Sequence, residues 1–126
     1  MTRRPSFWAA LMVGALAIPS PALADPREAG KRVFQRCAAC HSVDPKATPR
    51  FGPNLAGIVG RKVASAPGHT YSPAFKKQTF VWTEAQLDKW LRNPRALVPG
   101  TAMPFGGLSD AAERKAVIAY LKNPTP

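Results

Sequence analysis

The sequence predicts an all-α fold built on three main helices, and three observations carry that prediction. Apolar residues recur at the helical period in three separate stretches. Each stretch is bounded by capping residues or prolines. Between them lies a long irregular segment with no convincing strand alternation, so no sheet is expected. The chain has 126 residues, at most one domain of ordinary size.

The N-terminal segment stands apart from this fold. Arg3 and Arg4 precede an apolar run from Phe7 to Ile18, Pro19-Ser20-Pro21 breaks any helix, and Ala22-Leu23-Ala24 supplies small residues. This is the layout of a secretory signal covering residues 1–24. A membrane span needs about 20 apolar residues, so the run is short for one; the alternative reading is an uncleaved N-terminal anchor. Cleavage after Ala24 would leave 25–126 as a single exported domain with no second apolar run.

The first helix is expected from about Pro26 to Ala39, with proline in its first turn and Ala29, Val33 and Phe34 on one face. The second begins after Thr83, where Thr-Glu-Ala-Gln can form a capping box with Gln86. Leu87, Trp90 and Leu91 make its apolar face, and Asn93-Pro94 ends it. The third follows Ser109-Asp110, with Asp110 and Glu113 repeating the cap pattern, Val117, Tyr120 and Leu121 as its stripe, and Asn123-Pro124 as its stop.

Ser42 to Val81 holds Pro45, Pro49, Pro53, Pro67 and Pro73 together with Gly52, Gly57, Gly60 and Gly68. A loop of that length within a compact domain needs something else to organise it. Three short helices give a thin core. A non-protein group at the centre answers both problems.

Cys37-Ala38-Ala39-Cys40-His41 identifies that group. Cys-x-x-Cys-His is the attachment sequence of c-type haem. Cysteines three apart lie on one side of a helical turn, so both thiols reach one porphyrin edge while the adjacent histidine faces the iron. The competing readings are weaker. A disulfide across so small a loop stabilises little, a redox dithiol wants a βαβ context, and zinc needs four ligands where only His69 could join these three.

Haem iron needs a sixth ligand or an open site, and the candidates for the ligand are Met103, His69 or a lysine. Met103 is the only methionine downstream of the signal and sits in the Pro/Gly-rich loop Pro99-Gly100-Thr101-Ala102-Met103-Pro104. Such a loop suits core filler poorly, and His/Met is a recognised axial pair that raises the reduction potential. His69 is expected to be an exposed loop residue.

Beyond these residues, the sequence resembles the class I c-type cytochromes, the mitochondrial protein and its bacterial soluble relatives. The resemblance runs from Gly30 to Leu121. It includes Phe51-Gly-Pro-Asn-Leu55, Gly60-Arg-Lys62, Ala66-Pro-Gly68, Tyr71, Trp82-Thr-Glu84, Pro99-Gly-Thr-Ala-Met103 and Ile118-Ala-Tyr-Leu121, with a His41-to-Met103 interval of 62 residues. It implies the class I fold: three main helices plus short helices and long loops around one covalently bound haem c, held through Cys37 and Cys40, with His41 and Met103 on the metal. Gly30 and Phe34 would meet Val117 and Tyr120 where the first and last helices cross. Pro53 would accept the ligand histidine's ring N–H. Arg61, Tyr71, Trp82 and Thr101 would bind the haem propionates.

Some positions depart from the pattern. Trp90 stands where tyrosine is usual, Phe75 where asparagine is, and Pro104 where another apolar residue is. Ala102, Ser109 and Ala111 replace lysines of the haem-edge ring, whereas Arg36 and Arg95 match basic edge positions.

The expected function is that of a soluble periplasmic one-electron carrier, with no catalytic residues and no enzyme activity. The 18 Lys+Arg against 7 Asp+Glu give a formal charge of +11, and loss of Arg3 and Arg4 with the signal would leave +9. Such a surface steers the carrier to acidic docking faces on a reductase, oxidase or reaction centre. Nucleic acid, the other partner class of a basic chain, is not met by an exported haem protein. A monomer with no stable membrane insertion after cleavage is expected. The alternatives are a haem subunit or dedicated acceptor of a periplasmic dehydrogenase, and a ligand-binding or peroxidase-type haem protein, which would need a displaceable sixth ligand.

Overall fold

The computed structural model describes residues 25–126 together with 1, 12 and 14–20, so the secretory-signal reading falls largely outside the described residues. The elements are α1 (Pro26–Phe34), α2 (Pro73–Lys76), α3 (Glu84–Arg92), α4 (Pro94–Leu97) and α5 (Ala111–Lys122). Extended pairing among the described residues is confined to one antiparallel bridge, Lys62 with Val81.

Each helix starts on a residue whose side chain accepts from a first-turn N–H: Asp25, Ser72, Thr83, Asn93 and Asp110. The two expected capping boxes form by half. Thr83 Oγ1 accepts from Gln86 N at 3.1 Å, but the Thr83 N–H goes to the Val81 carbonyl. Asp110 caps Ala112 and Glu113, while the Glu113 carboxylate turns outward to Arg36. Asn93 does more than close α3, because its Oδ1 caps α4.

α1 is shorter than expected. It ends at Phe34 instead of Ala39 because the next bonds tighten to the i+3 spacing, Cys37 N to Phe34 O at 2.7 Å and Cys40 N to Cys37 O at 3.0 Å. The cysteines therefore occupy turns, with two wider bonds, Ala38 N to Phe34 O at 3.1 Å and His41 N to Cys37 O at 2.9 Å.

The core is formed chiefly where α1 crosses α5. An ideal Cβ on Gly30 would stand 2.6 Å from Tyr120 Cβ and 2.7 Å from the Ala116 carbonyl carbon, so only glycine lets these backbones approach. Phe34 packs on Tyr120 with ring centroids 5.5 Å apart, and Val117 is 1% exposed. Arg114 is a buried charge on α5. Its Nε donates to Asp88 Oδ1 of α3 at 2.8 Å, and its Nη1 donates to the carbonyls of Leu108 and Ser109 at 2.8 and 2.9 Å.

The loops are fastened at their ends. Residues 60–63 are tied to 80–82 by Gly60 N to Trp82 O, Trp82 N to Arg61 O and Val63 N to Phe80 O. This closes the intervening loop and sets Arg61 beside Trp82 in the chain pairing. The segment carrying Met103 leaves the fully buried Val98 and returns where Leu108 N meets Leu91 O at 2.7 Å.

Candidate haem site

The turn after α1 delivers Cys37, Cys40 and His41 together. Both cysteines are free thiols, neither fully buried nor fully exposed. Burial pushes the Cys37 thiol above its ordinary value, with Arg36 opposing that shift, so it is held as the neutral thiol. His41 Nδ1 lies 2.8 Å from the Pro53 carbonyl oxygen. Since a carbonyl only accepts, Nδ1 carries the proton and the lone pair is left on Nε2. Burial also pulls the imidazole below its usual range, partly opposed by the Pro53 bond, and the nearby His69 adds to the lowering. The ring is thus kept neutral, the form that ligates a metal.

Gly52 backs that ring. An ideal Cβ there would stand 2.7 Å from His41 Nδ1 and 2.9 Å from Nε2. Gly52 N in turn donates to Cys40 O at 2.9 Å and Leu55 N to Ser42 O at 2.8 Å, so the 52–55 segment is laced to the attachment turn. Asn54 braces it from the other side, donating to the carbonyls of Asp44 and Ala47 and accepting from Ala56 N.

Arg61 turns its Nη groups to the carbonyls of Asn54 and Ala56 at 3.1–3.2 Å. Its Nε is buried with no hydrogen-bond partner. Burial lowers the guanidinium pKa while Tyr71 opposes the shift, yet a guanidinium stays charged. A buried, unpaired N–H on a cation is costly unless an anion meets it. Tyr71 Oη accepts from Ala66 N at 3.1 Å, and Thr101 Oγ1 accepts from Met103 N at 3.3 Å. Both hydroxyls keep their own proton to donate elsewhere. A cleft of about 380 Å³ bounded by the 45–49 loop, Asn54, Ala56, Arg61 and Pro67 opens beside Arg61; its lining includes neither the cysteines nor His41 nor Met103.

An aromatic cluster forms a wall. Trp82 meets Phe80 edge-on at 4.8 Å and Trp90 at 5.6 Å, and Phe75 meets Trp90 edge-on at 5.2 Å. Tyr71 joins through Phe75 at 5.9 Å. Trp90 and Phe75, the two departures from the usual tyrosine and asparagine, are therefore partners of each other. Met103 and Cys37 are both partly buried and packed against the same core cluster. His69, expected as an exposed loop residue, is instead half-buried, its ring edge-on to Tyr71 at 4.7 Å. Arg36, which matches a basic position of the haem edge, is in an ion pair with Glu113. Gly52, Asn54 and Arg114 carry roles that motif reading did not assign.

These residues fit a covalent haem: two free thiols at the attachment spacing, a neutral histidine with a free Nε2, and an orphaned cationic N–H where a carboxylate would be met. Comparison with known proteins agrees. The cytochrome c family profile matches residues 27–124. Cytochrome c2 of Rhodomicrobium vannielii is 47% identical over 113 residues, covering 87% of this chain and 90% of that protein. Cytochrome c-554 of Methylosinus trichosporium is 48% identical over 100 residues, covering 79% and 75%. The solved structure of cytochrome cH from Methylobacterium extorquens superposes with a TM-score of 0.72 at 41% identity, covering 76% of this chain and 96% of that one. The expected class I fold is the one found. With a profile match across almost all of 25–126 and the attachment turn in place, the chain belongs to the cytochrome c family, electron-transfer proteins without enzyme activity that bind haem c covalently, here through Cys37 and Cys40.

Proposed function

We propose that the protein is a soluble periplasmic one-electron carrier, exported by residues 1–24, working as 25–126, with His41 and Met103 as axial ligands. The observation that carries this reading is the 2.8 Å contact of His41 Nδ1 with the Pro53 carbonyl, which fixes the ring and leaves Nε2 for iron. When bound, the haem supplies a one-electron Fe(III)/Fe(II) couple. The rest is the work of the chain. Pro53 and Gly52 hold the His41 ring, so the imidazole that would meet the iron is fixed in orientation by the chain itself. Met103 would supply a thioether from a loop fastened at both ends, a soft ligand that would favour the ferrous state. Arg61, Tyr71, Trp82 and Thr101 offer N–H and O–H donors for the propionates. The wall of Phe75, Phe80, Trp82 and Trp90 excludes water and disfavours the extra charge of ferric iron.

Two facts bear on transport and partners. Among the described residues no helix is long and apolar enough to cross a membrane. With Arg3 and Arg4 gone from the formal total of +11, the +9 of 25–126 steers the carrier to acidic faces of a reductase, oxidase or reaction centre, with a rate that falls as salt rises.

The test is purification from periplasm with the N-terminus, mass and visible spectrum determined together. The expected result is an N-terminus at Asp25, one added haem, and the weak far-red band of ferric iron bound to a methionine sulfur. Absence of that band in the native ferric protein would overturn His/Met ligation and with it the simple carrier.

A further inference from the structure

Met103 stands in the middle of a segment that bonds to its own backbone. Upstream, Thr101 N donates to Val98 O at 3.1 Å, and Gly100, at φ +85°, is third in that four-residue turn after Pro99. Proline second and a positive-φ glycine third is the arrangement of a type II turn. Downstream, Phe105 N donates to Met103 O at 2.9 Å, which closes a three-residue turn about Pro104. With proline at its centre this is an inverse γ-turn, since the ring holds φ at about −65° and that turn wants about −75°. Between the two turns, Met103 N donates to Thr101 Oγ1 at 3.3 Å. Both backbone polar groups of Met103 are thus bonded within the loop itself.

Exposure alternates along the segment. Thr101, Met103, Phe105 and Gly107 are half-buried, whereas Ala102, Pro104 and Gly106 are exposed. Met103 and Phe105 both pack against the core cluster, so the γ-turn has its two ends on the core and Pro104 outermost. The exposed Pro104 ring fills no core space. Its influence on Met103 passes through the backbone.

We propose that Pro104 is a positioning residue for Met103, holding the loop in the turn that presents the thioether and restraining its displacement by an external ligand. The inference rests on Met103 as the sulfur ligand and adds what keeps it in place. An external nitrogen base can take the sixth position only after Met103 has swung away. Its apparent Kd is therefore the intrinsic Kd divided by the fraction of molecules with the loop displaced. Proline matches the seated turn and narrows the conformations open to the displaced loop, which lowers that fraction.

The probe is imidazole, titrated into the ferric, haem-loaded protein, and the readout is its Kd from loss of the far-red band. Pro104→Ala is expected to bind imidazole about two- to fivefold more tightly than wild type, and Pro104→Gly about two- to fivefold more tightly again. Both replacements lack the ring, so a graded response reports backbone freedom and not a lost contact. Without imidazole, both variants should keep the wild-type band. Pro45→Ala is the control. Pro45 is an exposed proline, second in the turn closed by Ala47 N and Asp44 O, and its replacement should lower the guanidinium midpoint with the imidazole Kd unchanged. A Kd at or above that of wild type in both Pro104 variants overturns the assignment. So does an equal gain in the alanine and glycine variants, which would give the effect to the ring. A Kd that falls as far in Pro45→Ala as in Pro104→Ala would make it a general loosening and overturns it equally. A wild-type protein without the far-red band instead fails the Met103 reading, and the proposal with it.

Discussion

His41 Nδ1 and the Pro53 carbonyl oxygen stand 2.8 Å apart, and the glycine between the attachment turn and Pro53 closes against the same ring. The peptide that carries this acceptor is therefore also the floor beneath the imidazole. Orientation, tautomer and neutrality of His41 follow from one short segment, which Gly52 N and Leu55 N tie to Cys40 and Ser42.

Gly52→Ala tests that floor. The added methyl group would meet ring atoms at 2.7 and 2.9 Å, closer than real side chains approach, so either the ring or the 50–55 segment must move. Overpacking of this kind costs about 1–3 kcal/mol. The guanidinium midpoint of the haem-loaded variant should fall with little change in m-value, and the reduction potential should shift because the imidazole is re-aimed. A variant matching wild type in both would show that the ring does not rest on Gly52.

Much of this was legible in the sequence, and the rest was hidden for identifiable reasons. The attachment turn, the three main helices and the Thr83 and Asp110 caps follow from spacing and cap chemistry. The end of α1 did not, because apolar periodicity continues past Phe34 while the bonds tighten to i+3. α2 was missed although Ser72-Pro73 is a cap followed by an N1 proline. Arg114 was readable in principle. It stands three residues before Val117 and four before Ile118, on the buried stripe of α5, where a charge demands a partner. Glu113, read as a capping-box residue, is drawn away by Arg36, a competitor distant in sequence. Long-range partners of that kind leave no local signal.

Gly30→Ala should disturb the α1–α5 crossing without touching the haem ligands. The new Cβ would stand 2.6 Å from Tyr120 Cβ, and neither helix can retreat cheaply because Phe34 and Tyr120 are both buried. Destabilisation of about 1–3 kcal/mol is expected in denaturant unfolding. The visible spectrum of the folded fraction should remain that of wild type, which separates a packing defect from a ligand defect.

Met103→Ala removes the proposed sulfur ligand and leaves both cysteines. The purified variant should retain one covalent haem by mass, lose the far-red ferric band and fall in reduction potential. An unchanged potential would mean that Met103 is not on the iron. Stability should also drop, because the side chain packs against the core and its loss opens space there.

Arg114 and Asp88 offer a final separation, between an ion pair and a pair of carbonyl ties. The Arg114 side chain is 8% exposed and that of Asp88 46%, so after loss of its partner Asp88 can turn to water at little cost. The carbonyls of Leu108 and Ser109, where the Met103 loop returns to α5, would lose their Nη1 donor. Of the two, the Leu108 carbonyl is the buried one; an unsatisfied buried acceptor costs about 1–3 kcal/mol, whereas a half-exposed ion pair is worth about 1 kcal/mol or less. Arg114→Ala should therefore destabilise clearly more than Asp88→Asn in denaturant unfolding. Arg114→Ala should also weaken the far-red band on mild heating before global unfolding, because the loop end that it holds is shared with Met103. Equal costs for the two substitutions would assign the stabilisation to the ion pair, and an unweakened band would show that the loop is held by the Leu108–Leu91 backbone bond alone.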